Sequence, residues 1–269
     1  MGRKPLNIEY FALADFGVLS AEGTDAGKFL QGQLSNDVAS LATGQSQLSA
    51  LHTVQGRVQA VIYLLCLGEA SYTAVLPQEL LPAVLATLQQ RVFRAKVTLR
   101  DAVEHWQVLG ATAAPPNSWH AAVDRSARCF VLLDATRPDR PTPLHSREAW
   151  RALDIAAGLP QVYARSQGEF VAQMLNLDLL GGIAFDKGCY IGQEIVARSH
   201  YRGRVKRRLQ RFAYTADTAP LPGDSVLLAS GATAQVVDAT RAAGQQQLLA
   251  VTAIGATGAL PMPYELPRD

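Results

Sequence analysis

The segment 187–194 reads Lys-Gly-Cys-Tyr-Ile-Gly-Gln-Glu and places a cation, a thiol and a carboxylate close together. The glycines at Gly188 and Gly192 favour a tight turn, and the Ile-Val-Ala-Arg run at 195–198 predicts that a helix follows. Backbone N–H groups at the start of a helix are unpaired and carry partial positive charge. Cys189 would therefore lie beside a cation and a positive helix end, which favours a reactive thiolate. A buried, inert cysteine is the alternative.

The bulk composition is that of an ordinary globular protein, with 269 residues, 48% hydrophobic residues, 18% charged residues and a formal net charge of +2. This length allows two or three domains. The three cysteines are far apart and lack CxxC spacing, so the sequence predicts neither a disulfide framework nor a metal site and fits a reducing compartment. Residues 1–9 lack the apolar core of a signal peptide, and no run of about 18 apolar residues occurs. We therefore expect a cytoplasmic protein that does not enter a membrane.

Apolar periodicity and turn residues predict a mixture of strands and helices. In the first half, strands alternate with short helices, and a Pro-rich segment at 137–143 is the best candidate for a domain boundary. After residue 204, short strands separated by glycine-containing turns are typical of a small β-barrel. The predicted elements are strands at 12–23, 57–67, 71–76, 97–100 and 106–110, and helices at 24–30, 35–41, 78–93 and 147–157.

Several segments resemble one known family. Residues 176–178, 181–198 and 200–209 closely resemble the signature of the YgfZ family, and 25–38 resembles the opening motif of the same superfamily. The Ala-Gly-Leu-Pro sequence at 157–160 is a weaker similarity. The family consists of folate-binding proteins linked to iron–sulfur cluster maintenance, and it is distantly related to the glycine-cleavage T-protein.

The resemblance implies an α+β protein with a three-lobed, T-protein-like fold. Residues 1–47 and 143–204 would form a discontinuous first lobe, 48–142 a second α+β lobe, and 205–269 a C-terminal β-barrel. The lobes would surround a central cleft, and ligand pockets favour such positions. We expect the protein to be a monomer.

The resemblance also implies site residues. Cys189 would react with a one-carbon unit or a sulfur species, Lys187 would stabilise the thiolate or hold the carboxylate tail of a folate, and Glu194 would act as an acid or base. Glu194 is also well placed to interact with the helix dipole and to pair with a residue one turn later. The residues expected to bind tetrahydrofolate or a one-carbon derivative are Gln173, Asn176, Asp178, Lys187, Tyr190, Arg198 and Arg202. Residues 173, 176 and 178 are equally suited to cap helices.

A basic stretch begins within the signature, and no acidic residue occurs between Glu194 and Asp217. It would attract polyanions, either RNA phosphates or the poly-glutamate tail of a folate. A solvated strand edge, protected from aggregation by charge, fits the same residues. Aromatic residues at 200, 201 and 212 would add base stacking, although no RNP-like motif supports a dedicated RNA-binding module. The basic residues are Arg198, Arg202, Arg204, Lys206, Arg207, Arg208 and Arg211.

The comparison with the T-protein argues against aminomethyl transfer. Its acidic catalytic positions correspond to Gln59 and Ala60, and the glutamate that binds its pterin corresponds to Ala156. Neither an amide nor a methyl group accepts a proton at neutral pH. The expected function is therefore folate binding in support of iron–sulfur enzymes, including those that modify tRNA. A thiol-dependent one-carbon or acyl transferase and an RNA-contacting accessory protein are the alternatives.

Overall fold

The computed structural model describes residues 8–115, 128–136, 141–142, 144–241, 244 and 246–267, together with the backbone of 120–123. The N-terminal segment 1–7 and most of the predicted Pro-rich boundary at 137–143 lie outside the described residues. The helices are α1 (Ala26–Gln31), α2 (Leu81–Gln89), α3 (Arg147–Ala156) and α4 (Gln193–Tyr201), with 3-10 turns at Gln78–Leu80, Ala164–Ser166 and Ala172–Leu175. The strands are β1 (Tyr10–Ala12), β2 (Phe16–Glu22), β3 (Ser46–His52), β4 (Val58–Gly68), β5 (Ser71–Pro77), β6 (Thr98–Asp101), β7 (Trp106–Ala111), β8 (His120–Val123), β9 (Cys129–Asp134), β10 (Leu144–His145), β11 (Arg207–Ala213), β12 (Ser225–Leu227), β13 (Thr233–Thr240), β14 (Gln247–Ala253) and β15 (Ala259–Leu260).

These strands form sheets of five strands each. Sheet I has the order β3-β4-β5-β2-β6, sheet II the order β10-β1-β7-β9-β8, and sheet III the order β12-β13-β14-β11-β15. Neighbouring strands are antiparallel except for β1 and β10, which run parallel. The mixture of helices with several sheets confirms the α+β class.

Sheet I lies at the centre of the hydrophobic core, because both of its faces are covered. Along β4, Tyr63 and Leu65 pack into the cluster shared with sheet II. Ile62 and Leu64 belong to the cluster that includes residues of α4 and sheet III. A strand that is buried on both faces needs apolar residues at successive positions, which explains the continuous apolar run that made β4 the clearest strand in the sequence.

Several predicted elements are confirmed. The strands predicted at 57–67 and 71–76 correspond to β4 and β5, and the helices predicted at 78–93 and 147–157 contain α2 and α3. The helix predicted at 24–30 corresponds to α1, but the side chain of Asp25 forms no capping bond. Its carboxylate instead accepts a hydrogen bond from the backbone N–H of Lys96 at 2.7 Å.

The helix predicted at 35–41 was wrong, because that segment contains only turns and bends. Its polar residues make tertiary contacts instead of capping a helix. The hydroxyl of Ser35 donates to the carbonyl of Gly182 at 2.6 Å, and the amide of Asn36 donates to the carbonyls of Leu48 and Gly181. The segment therefore links β3 to the loop that carries the signature.

Strand pairing crosses the predicted lobe boundaries. Strand β2 comes from the segment assigned to the first lobe, yet it lies between β5 and β6 of sheet I. Sheet II joins β1 and β10 to strands from residues 106–134. Sheet III contains the C-terminal strands, as expected for the last lobe. The three-lobed division and the closed barrel stay predictions. Across the described ranges, no helix has the length and apolarity needed to cross a membrane.

Candidate functional site

The signature forms a turn followed by a helix, as the sequence predicts. Helix α4 begins directly after Gly192, which has a φ of +81°. A Cβ atom at this position would lie 2.5 Å from the carbonyl oxygen of Thr53, so both the backbone conformation and the space require glycine. Gly188 differs, because a Cβ there would meet no atom within 4 Å and its φ is not positive. The turn therefore depends on Gly192 and not on Gly188.

A second glycine fixes the other side of this contact. Gly56, in the turn between β3 and β4, has a φ of +71°, and a Cβ there would lie 2.7 Å from the Cβ of Ile195 in α4. The two glycines thus let α4 pack directly on the β3–β4 hairpin. This contact sets the position of the signature relative to sheet I.

Lys187 contacts the main chain of the segment that follows α1. Its ammonium group donates to the carbonyl oxygens of Gln31, Leu34 and Asn36 at 2.6, 2.7 and 2.8 Å. An ammonium has three N–H groups, so these contacts use all of them. Burial lowers the pKa of Lys187 to about 8, and the charge of Asp37 opposes that shift. In this structure the lysine connects the signature to an upstream loop, a contact that the sequence did not predict.

Cys189 is exposed, whereas Cys66 and Cys129 are buried. The sulfur of Cys66 also donates to the carbonyl of Gly68 at 3.3 Å. Cys189 lies in the loop four positions before the first residue of α4. It is therefore the cysteine that a second molecule reaches without local unfolding.

Next to this cysteine, Tyr190 turns inward and packs against His52. The two ring centroids are 5.9 Å apart, and the ammonium of Lys187 lies 5.1 Å from the centroid of the tyrosine ring. Burial raises the pKa of Tyr190 to about 12 and lowers the pKa of His52 to about 4, so both side chains are neutral at pH 7. Neither ring nitrogen of His52 has a hydrogen-bond partner in the described part of the chain.

A cleft of about 260 Å³ brings together other predicted binding residues. Gln173 and Asp178 line it beside the end of α4 and the start of β11. The amide of Gln173 donates to the carbonyl of Val196 at 2.7 Å, which leaves its Oε1 without a partner among the described residues. The lining residues are Gln173, Asp178, Ser199, His200, Gly203, Arg204, Val205, Arg208, Ile254 and Pro267.

A buried ion pair closes one side of this cleft. Arg208 donates to both carboxylate oxygens of Asp178, at 2.9 and 2.8 Å, and the two side chains are only 6% and 9% exposed. The same guanidinium contacts the Gln173 carbonyl and the side-chain oxygen of Asn176. Its Nε has no partner within the described ranges. Asp178 is thus already paired, and the polar atoms left over are the Gln173 Oε1 and the Arg208 Nε.

Asn176 has a structural role in this arrangement. It ends the 3-10 turn with a φ of +57°, in the left-handed region that asparagine tolerates better than most residues. Its amide donates to the carbonyl of Leu209 and the hydroxyl of Tyr264, at 2.9 and 3.2 Å. With its oxygen contacting Arg208, the side chain is fully buried and its hydrogen-bonding groups are used by the protein. The structure therefore favours the alternative in which Asn176 is a turn residue.

The comparisons with known proteins agree with the resemblance in the signature. No family model matches the chain. Over 250 residues, covering 82% of this chain and 75% of the relative, it is 31% identical to the tRNA-modifying protein YgfZ of Photorhabdus laumondii. It is 30% identical to the tRNA-modifying protein YgfZ of Klebsiella pneumoniae, covering 85% of this chain and 78% of that protein. The chain belongs to the YgfZ family.

A solved structure supports the fold expected for a YgfZ protein. The chain matches the crystal structure of the glycine cleavage system aminomethyltransferase T from Bartonella henselae with a TM-score of 0.71, covering 92% of this chain and 78% of that one. The sequence identity is 16%, so the likeness is one of fold. The T-protein-like fold predicted from the sequence is thereby confirmed.

In this YgfZ-family chain the basic stretch does not form one continuous surface. Arg208 is buried in its ion pair, and Arg211 is partly buried and donates to the carbonyl of Ala156 at 2.9 Å. The predicted pair between Glu194 and Arg198 is absent, since neither residue forms a salt bridge within the described chain, and both are exposed. The exposed members of the stretch are Arg198, Arg202, Arg204, Lys206 and Arg207.

The positions that correspond to the T-protein acids carry no carboxylate in this YgfZ-family structure. Ala60 is fully buried in the core, and Gln59 is partly buried. The carbonyl of Ala156 is used by Arg211. A larger cavity of about 600 Å³ lies at sheet III and is lined by other residues, including Phe212, Tyr214 and Leu248, so none of the predicted site residues faces it.

The sequence analysis missed two residues of the site. His52 gave only a weak signal, a polar residue at the end of the otherwise apolar β3. Arg208 was grouped with its basic neighbours, because the sequence does not show which arginine in a run turns inward. Spacing along the chain does not reveal the acid that selects it, Asp178, thirty positions earlier.

Proposed function

We propose that the protein binds a reduced folate and supports the assembly or repair of iron–sulfur clusters, including those of enzymes that modify tRNA. It acts in the cytoplasm as a monomer, and Cys189 is the residue whose chemistry is required. The observation that carries the proposal is the exposure of this thiol within the family signature, while the other cysteines are buried. A thiol that serves another protein or a bound small molecule has to be accessible.

The cleft beside α4 fits the head of a folate. A pterin presents an amino group, a ring N–H and a carbonyl along one edge, so it needs both an acceptor and a donor from the protein. The Gln173 Oε1 supplies an acceptor and the Arg208 Nε supplies a donor, and neither is used by the described chain. Buried polar atoms without partners are uncommon in native proteins, and a ligand is one explanation for them. Both atoms are buried in the free protein, so a small movement of the lining would have to expose them.

The size and charge of the cleft suggest how the rest of the folate is arranged. A volume of about 260 Å³ is at the lower end for a small-molecule site, so it suits the ring system better than the whole ligand. The glutamate tail would then lie outside the cleft, where Arg204 lines the rim and Arg202 and Arg198 are exposed nearby on the chain. Exposed guanidinium groups bind carboxylates well, because they donate paired hydrogen bonds.

Aminomethyl transfer is not part of this proposal. The T-protein chemistry requires carboxylates at positions where this chain has Gln59 and Ala60. Bound folate would supply one-carbon chemistry, and the residues of this chain would bind it, orient it and present the thiol. Lys187 contributes by fixing the signature on the segment after α1 through its three carbonyl contacts.

The proposal is tested by replacing the thiol in cells. Cys189→Ser, expressed in cells that lack the native copy, is expected to leave an iron–sulfur tRNA-modifying enzyme as impaired as the empty vector does. The measurement is the fraction of modified nucleoside in total tRNA, determined by mass spectrometry. The exchange removes only the sulfur from an exposed position, so the protein should accumulate to its normal level.

Cys66→Val is the matched control. It removes a buried thiol and keeps an apolar side chain of similar size, so it should restore the modification fully. Full restoration by Cys189→Ser would contradict the proposal. So would an equal loss in the two variants when both proteins accumulate normally.

A further inference from the structure

Three aromatic side chains form a cluster at the end of α4. The rings of Phe185 and His200 are stacked, with centroids 3.7 Å apart and an interplanar angle of 17°. Tyr201 meets both rings edge-on, at 74° to Phe185 and 84° to His200. Tyr201 is 67% exposed, and His200 is exposed as well. The cluster is therefore a fixed aromatic surface in contact with solvent and not part of the core.

Exposed cations surround this cluster along the chain. Arg198 lies in the last turn of α4, Arg202 ends the helix, and Arg204 and Lys206 lie in the segment before β11. No salt bridge involves Arg198, Arg202 or Lys206 in the described part of the chain. One or two cations suffice to balance the negative end of a helix dipole, so this number needs another explanation.

The strand-edge explanation does not cover these residues. Only Arg207, Arg208 and Arg211 lie on β11, and two of them are taken up by a buried ion pair and a carbonyl contact. The exposed cations at 198–206 are on α4 and in the segment after it. Charge that protects a sheet edge from aggregation has no role at those positions.

We propose that this surface binds single-stranded RNA. Cations alone attract any polyanion, but exposed rings beside cations fit a chain that alternates phosphates with flat bases. A base would stack on the exposed ring of Tyr201, while Arg198, Arg202 and Lys206 bind phosphates on either side. Single strands are favoured because stacking on a side chain needs an unpaired, accessible base. The inference depends on neither folate nor Cys189.

The test measures fluorescence anisotropy of a short, labelled oligouridylate mixed with the full-length protein over a range of salt concentrations. Tyr201→Ala should weaken binding about 5- to 100-fold, the range expected for the loss of one stacked base, and Tyr201→Phe should bind nearly as well as the unchanged protein. The double variant R198S/R202S should reduce the slope of log affinity against log salt by about 1, because each phosphate contact in a single strand contributes about 0.7.

The chain offers a matched control in Phe93 and Arg94. Phe93 is 85% exposed, and the guanidinium of Arg94 lies over its ring at 5.1 Å, so the pair has the same chemistry elsewhere on the surface. F93A/R94S should bind RNA like the unchanged protein. Equal binding by Tyr201→Ala and the unchanged protein would overturn the proposal. So would an equal loss in F93A/R94S, tighter binding of an RNA duplex, or equally effective competition by poly-glutamate.

Discussion

At the scale of single residues, burial rather than residue type decides the chemistry around Cys189. Lys187 gives its three N–H groups to main-chain carbonyls, and Tyr190 is held neutral in the core. His52 is fully buried beside that tyrosine, with both ring nitrogens unpaired in the described part of the chain. An unpaired buried polar group costs about 1–3 kcal/mol of stability, so His52 is a defect that the fold tolerates next to its signature.

The pKa of His52 predicts a specific loss of stability in acid. An ordinary histidine has a pKa of 6.5, and burial lowers the pKa of His52 to about 4. As the pH falls from 6.5 to 4, the unfolded chain binds a proton that the folded chain does not, so the free energy of unfolding falls by about 3 kcal/mol. His52→Leu should remove this decrease. Urea unfolding at several pH values measures it.

His105→Leu serves as the control for His52→Leu, because His105 is exposed. It should leave the acid dependence unchanged. If His52→Leu retains the full decrease between pH 6.5 and 4, the histidine does not titrate as its buried position requires.

At the scale of elements, the contact between α4 and the β3–β4 hairpin positions the signature. Gly192 and Gly56 allow two backbones to meet where any side chain would collide. Leu48 of β3 is linked to the same loop through Asn36, which also contacts Gly181. The position of Cys189 therefore depends on glycines and loop contacts rather than on a long helix.

Gly192→Ala should separate α4 from the hairpin. The left-handed conformation costs a residue with a Cβ about 1–2 kcal/mol, and a methyl group 2.5 Å from the Thr53 carbonyl adds a collision with backbone. We expect a loss of about 2 kcal/mol or more in unfolding free energy and faster amide hydrogen exchange in α4. Gly188→Ala, in the same loop, meets no atom within 4 Å and should be neutral. Equal stability of the two variants would contradict this account of the turn.

Local patterns predicted the elements well where one physical signal dominated. The run in β4 is apolar because both faces are covered, and α3 begins at Ser146, whose hydroxyl accepts from the N–H of Ala149 as expected for a helix cap. Prediction failed where polar residues had a choice of partner. Asp25 bonds to the Lys96 backbone, and Ser35 contacts the signature loop, so a capping pattern without its tertiary contacts pointed to a helix that does not form.

The same limit applies to the candidate site. The turn at Gly192, the following helix and an accessible Cys189 were predictable, because turn and helix signals are local. The partners of Lys187 lie in a segment about 150 positions upstream, and no local pattern indicates them. The inward orientation of Arg208 likewise depends on Asp178, which only the folded chain brings close.

At the scale of the whole molecule, sheet III is joined to the rest through the cleft beside α4. Arg208 of β11 binds Asp178, and Asn176 bonds to Leu209 of the same strand. Residues of sheet III, including Leu209 and Val251, also belong to the central core cluster. The region that would bind folate is thus also the region that holds the C-terminal strands in place.

The buried ion pair should be much more costly to break than to replace. Arg208→Met leaves the Asp178 carboxylate buried without its partner, and we expect a loss of about 3–5 kcal/mol in the free energy of unfolding. The double variant R208M/D178L should recover a large part of that loss, because no charge is left unpaired. Urea unfolding of both proteins measures this. A double variant less stable than Arg208→Met would show that the pair is not the source of the effect.

The central claim is that the cleft beside α4 binds a reduced folate, and calorimetric titration of the purified protein with tetrahydrofolate tests it most directly. Gln173 and Gln210 are both buried and both donate to a main-chain carbonyl at 2.7 Å, but only Gln173 lines the cleft. The account predicts saturable, one-site binding that Gln173→Met weakens at least about tenfold, the effect of losing one buried hydrogen bond, and that Gln210→Met leaves unchanged. Absence of binding by the unchanged protein, or equal binding by both variants, would contradict it.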